Sequence, residues 1–104
     1  MFSPRSIPLG LAFALVLSSN CTLADEATAK KEGCTACHSV DKKLVGPSYK
    51  SVASKYKGDA NASGKLAAAV KAGSKGVWGP VPMPAQTRIS DADLTKVVAW
   101  ILAQ

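Results

Sequence analysis

The sequence predicts a small all-α domain of about four short helices, on three observations. Apolar residues recur at helical spacing in several segments, good N-cap residues stand where those segments begin, and nowhere does an apolar–polar alternation long enough for a strand appear. At 104 residues the chain holds one domain at most.

Its N-terminus reads as an address rather than as structure. Met1 to Pro8 carries one positive charge, at Arg5, and Leu9 to Leu17 is apolar apart from Gly10. A membrane span needs roughly 20 such residues, so this shorter run is expected to be a secretory signal. Thr22-Leu23-Ala24 puts small residues at the −3 and −1 positions, which places cleavage before Asp25. Residues 1–24 are then the signal and 25–104 the mature domain, with no stable membrane insertion. A lipoprotein signal using Cys21 is the rival, weakened because Ser18-Ser19-Asn20 lacks the leucine and small residue expected before a lipid-bearing cysteine. Cleavage also removes Cys21 and leaves two of the three cysteines.

Asp25 is a suitable N-cap, and the helix formers that follow predict a first helix running into C-T-A-C-H at Cys34 to His38. Gly33, just before the motif, marks either a close backbone approach or fraying at a helix end. C-x-x-C-H is an attachment signature for a c-type haem, because i, i+3 and i+4 share one helical face. Cys34 and Cys37 can then add to two vinyl groups while His38 reaches the iron. A zinc site would be short of ligands, a thioredoxin-type dithiol lacks its βαβ surroundings, and a plain disulfide leaves His38 unexplained.

A loop closing on Gly46-Pro47 follows. Tyr49, Val52, Ala53 and Tyr56 then define the face of a second helix that stops at Gly58. A third helix begins after Asn61 or Ser63, turns Leu66, Ala69 and Val70 inward and ends at Gly73. From 73 to 89 the chain reads G-S-K-G-V-W-G-P-V-P-M-P-A-Q-T-R-I, about 17 residues without regular structure, a length that is usually functional or disordered. Its prolines stiffen it, and P-M-P holds out Met83, the one methionine left after the signal. Because a haem iron with one histidine needs a second axial donor, Met83 is the candidate. Ser90 caps a final helix with Asp91 and Asp93 in its first turn, and its buried stripe runs through Leu94, Val97, Val98, Ile101 and Leu102 beside Trp100. This helix is expected to cross the first near Gly33.

Lys and Arg number 13 against 7 Asp and Glu. Removal of Arg5 leaves 12 against 7, a net +5 on an expected 80-residue mature chain. The lysines are scattered without a basic run, which argues against nucleic acid and for a mildly positive face that steers acidic partners. So short a chain needs a staple, and a covalent haem would be one.

With C-T-A-C-H, V-G-P, G-V-W-G-P-V-P-M-P and a tryptophan in the last helix, the chain resembles the small bacterial class I cytochromes c of the short-loop, five-fifty-one type. The resemblance spans Asp25 to Gln104. It implies the class I cytochrome c fold around one covalently attached haem c, with Cys34 and Cys37 as thioethers and His38 and Met83 as axial ligands. It further implies that the Pro47 carbonyl accepts from the second His38 nitrogen and that the Trp78 indole donates to a haem propionate. Relatives often carry an arginine where Ala69 stands and an asparagine where Gln86 stands.

Two axial ligands leave the iron no substrate position, so the expectation is a monomeric, periplasmic one-electron carrier rather than an enzyme. Its partners would be respiratory proteins such as a cytochrome bc complex, a nitrite reductase or a terminal oxidase. The alternative is a haem enzyme, or a gas- or peroxide-binding protein, in which Met83 is labile.

Overall fold

Ser90 illustrates how local chemistry sets the helix boundaries. Its backbone is extended (φ −69°, ψ 154°) and its hydroxyl accepts from the Asp93 N–H at 3.1 Å, starting α4 (Asp91–Leu102). The acidic residues expected in the first turn are there. Ser48 plays the same part for α2 (Tyr49–Lys55), accepting from Ser51 N–H at 3.1 Å. α3 (Ala62–Ala72) starts after Asn61, whose N–H is bound by the Asp59 carboxylate at 2.8 Å rather than by a capping side chain. A computed structural model of the chain describes Gly10 and residues 21–104, excepting the side chains of 21–24. Apart from Gly10, the apolar run, Arg5 and Ser18 to Asn20 lie outside the described residues.

The first helix departs from expectation at both ends. α1 spans Cys21–Lys31, so Asp25 lies inside it and caps nothing. Thr22, Leu23 and Ala24 carry the helix upstream, and neither glycine nor proline interrupts them. Downstream, α1 does not run into the cysteine motif. Gly33 adopts φ +78°, a conformation that ends a helix, and Cys34–Ala36 forms a separate 3₁₀ turn. A Cβ on Gly33 would meet nothing within 4 Å, which decides between its two readings in favour of the helix end. The small buried residue of α1 is Ala29 instead, with no exposed surface.

α4 is the hub, since α1, α2 and α3 all pack on it. Val97, Val98, Leu94, Trp100 and Ile101 of α4 are buried, joined by Tyr49, Val52, Leu66 and Ile89. Each such side chain contributes about 1.5–3 kcal/mol on leaving water. Trp100 stands edge-on to Tyr49 with ring centroids 4.9 Å apart, an arrangement aromatic quadrupoles favour. The described residues hold no strand, only an isolated bridge between Ser74 and Met83. No helix among them is long and apolar enough to cross a membrane.

Candidate haem site

The turn that carries the two thiols is tied to the loop behind it. His38 N–H and Cys37 N–H both reach the Cys34 carbonyl, at 2.9 and 3.1 Å, and Gly46 N–H returns to the Cys37 carbonyl at 2.9 Å. The loop between is thereby folded back so that Pro47 stands beside His38. The His38 Nδ1 lies 2.7 Å from the Pro47 carbonyl oxygen and donates to it. With Nδ1 committed, the lone pair left for a metal is on Nε2. The ring is further held by Tyr49, stacked at 5.5 Å between centroids.

Gly46 matters sterically. A Cβ built there would sit 2.4 Å from His38 Cε1 and 2.8 Å from Nδ1, so any other residue forces either the imidazole or the loop to move. On the other side, Gly73 ends α3 and the chain runs into the loop that holds Met83. The Ser74 N–H donates to the Met83 carbonyl at 3.1 Å and the Met83 N–H to the Ser74 carbonyl at 2.8 Å.

Cys34, Cys37, His38, Pro47, Trp78 and Met83 all line one cavity of about 750 Å³. All six are candidates on the sequence alone, and the fold brings them together. Gly46, Gly73 and Tyr49 are legible there only as a loop closure, a helix end and part of a helix face, without a part in the site. The glycines stand out only once their missing side chains are set against distant atoms, although V-G-P and A-G-S offered the local hint. Val52, Leu66, Val70, Val97 and Ile101 supply apolar wall. Ala69 and Gln86 also face the cavity. The Gln86 side-chain amide donates to the Pro84 carbonyl at 3.1 Å and so braces the backbone next to Met83. Lys55 Nζ lies 5.0 Å above the Trp78 ring, a cation–π contact at the cavity's edge. Burial, reinforced by the Glu32 carboxylate, pushes the Cys34 thiol up, so it stands protonated and neutral at pH 7.

The residues fit a haem. The cavity lies within the ligand-pocket range of about 300–1,000 Å³. Its walls, with Val52, Leu66, Val70, Val97 and Ile101 among them, call for a largely apolar filling. Two thiols, an imidazole and a thioether are the donors a covalently attached iron porphyrin takes. Fold and donors together define a helical haem protein of c type.

Comparison with known proteins gives the same answer from a different direction. The family described as cytochrome c matches residues 26–104. Cytochrome c-551 of Allochromatium vinosum is 49% identical over 92 residues, 88% of this chain and 98% of that one. Cytochrome c-551 of Pseudomonas aeruginosa is 48% identical over 79 residues, 76% of this chain and 75% of that one. The crystal structure of Nitrosomonas europaea cytochrome c552 superposes with a TM-score of 0.73 at 46% identity, covering 75% of this chain and 96% of that one. The chain belongs to the cytochrome c family. It therefore carries covalently bound haem c, and it stands with the one-haem electron carriers of the c-551 and c-552 group rather than with enzymes.

Proposed function

We propose that this protein is an exported, periplasmic carrier whose haem is held by thioethers to Cys34 and Cys37 and by axial bonds from His38 and Met83. The observation that carries the proposal is the convergence of these four side chains on one cavity, with the His38 Nδ1 anchored on Pro47. Residues 1–24 are removed as the export signal, which cuts the first turn from α1 and makes Asp25 the N-terminus.

Bound in the cavity, haem supplies a one-electron Fe(III)/Fe(II) couple. The chain sets the direction in which that couple leans. His38 and Met83 are neutral donors, and apolar walls penalise net positive charge more than a neutral centre. A thioether also favours the softer ferrous ion, so the residues bias the site toward reduction and a positive potential. Trp78, with Lys55 over its ring, would offer a haem propionate an N–H donor with a positive charge beside it.

Electrons pass at the cavity mouth. Leu44, Val45, Val77 and Val81 line the cavity and are about half exposed, between 47 and 59%, with Lys43 beside them. A small apolar rim with a lysine suits brief contact with an acidic partner, a respiratory donor such as a cytochrome bc complex or an acceptor such as a nitrite reductase or terminal oxidase. A redox titration of the purified holoprotein tests the proposal. A single one-electron step at a potential above the standard hydrogen electrode is expected; a step well below it would speak against His/Met ligation.

A further inference from the structure

α3 and the loop bearing Met83 meet at one residue that has no side chain. Gly73 has φ +79° and ψ 172°, and a Cβ built on it would lie 2.7 Å from the Met83 carbonyl oxygen, 3.0 Å from the Ala85 nitrogen and 3.3 Å from the Pro84 carbonyl carbon. All three are backbone atoms, which cannot swing aside as a side-chain tip can. The contact is closed by hydrogen bonds: the two between Ser74 and Met83, and one from Gln86 N–H to the Val70 carbonyl at 2.9 Å.

The loop has few other means of fixing its register. Pro80, Pro82 and Pro84 carry no N–H, so between residues 82 and 84 the Met83 amide is the sole backbone donor, and it goes to Ser74. The end of α3 is therefore the surface against which Met83 is seated. We propose that Gly73 is a positioning residue for Met83: its missing side chain lets the loop close to the depth at which the thioether bonds the haem iron. The inference rests on Met83 being the axial ligand.

Gly58 provides a control for positive φ, with Gly58→Ala set beside Gly73→Ala. Its φ is +80°, but a Cβ on Gly58 meets nothing within 4 Å and Gly58 lies outside the cavity lining, whereas Gly73 at ψ 172° is held in a backbone region kept almost wholly by glycine. Both variants are prepared as holoprotein and compared by the far-red band of ferric Met–Fe bonding and by the rate at which azide displaces the thioether. Gly73→Ala is expected to weaken the band and speed displacement by about tenfold or more, as overpacking against rigid backbone implies. Gly58→Ala is expected to match the wild type. Equal bands and equal rates in the two variants overturn the inference; absence of the band in the wild type overturns the Met83 reading itself, and the inference with it.

Should Gly73→Ala fail to take up haem, hydrogen exchange in the wild type decides. Coupling between the bridge and the iron bond is reciprocal, so azide should selectively accelerate exchange of the Met83 amide. Exchange at Met83 that azide leaves unchanged overturns the inference.

Discussion

The space that Gly46 leaves vacant is occupied by the His38 ring, which comes within 2.4 Å of where a Cβ would be. Because Gly46 lacks a positive φ, a substitution there acts by bulk alone. Gly46→Ala is expected to push the imidazole off the Pro47 carbonyl at a cost of about 1–3 kcal/mol. Haem incorporation and the ferric spectrum report it: yield should drop and the His-ligated, low-spin signature weaken, whereas an unchanged spectrum would mean the loop yields instead.

Tyr49 presents the opposite situation, a side chain with more chemistry than its surroundings use. Its ring is buried between His38 and Trp100, yet its hydroxyl is buried without a hydrogen-bond partner among the described residues. Burial above all, with the Glu26 carboxylate behind it, pushes its ionisation up to about 12, so it stays neutral. Tyr49→Phe removes a polar atom that pays desolvation for nothing. The variant should be at least as stable as the wild type, by up to about 1 kcal/mol, or 4–8 °C in Tm for a domain of this size. A clear fall in Tm would show that the hydroxyl has a partner in solution.

The helix start that Ser90 caps was legible in the sequence; the one that Ser48 caps, and the ends that depend on distant neighbours, were not. Ser90 with Asp91 and Asp93, and the Tyr49–Val52–Tyr56 face, follow from spacing within a few residues. Asp25 does not cap α1 in the uncleaved chain, where the helix continues upstream as far as Cys21 without a glycine or proline to stop it. Cys34, Cys37, His38 and Met83 could be named because their chemistry is rare in so short a chain. Gly46 and Gly73 could be read only as a loop closure and a helix end and given no part in the site, because what makes each necessary there is an atom brought close only by the fold: the His38 ring and the Met83 carbonyl.

Ser90→Ala deletes the hydroxyl that accepts from Asp93 N–H and starts the hub helix. The cost should be about 1 kcal/mol, read as a lower Tm with an unchanged visible spectrum, since α4 contributes no iron ligand. A spectral change would mean that α4's start also sets the cavity.

Acid should remove a small share of stability through two surface pairs. Hydrogen bonding from Lys65 and from the Asn61 N–H holds Asp59 below its ordinary value of 3.8, and Lys71 does the same for Asp91. A lowered carboxylate stabilises fully above its unfolded value and loses that contribution as pH falls through the lower folded one. Lys65, raised above 10.5 by Asp59, has the mirror behaviour: its contribution is whole below 10.5 and lost as pH climbs through the folded value. The Tm gap between wild type and Asp59→Asn should be flat near neutral pH and close below about pH 4. The gap should also shrink with added salt, because these groups reach solvent.

The central claim is that Met83 and His38 together saturate the iron and make the protein a carrier. It is tested most directly by the ferric spectrum and potential of the holoprotein beside Met83→Ala. The account predicts a far-red Met–Fe band and a positive potential in the wild type. In Met83→Ala the band should be gone, the potential should fall and azide should bind readily. A wild type that already lacks the band and binds azide as readily as Met83→Ala would contradict it.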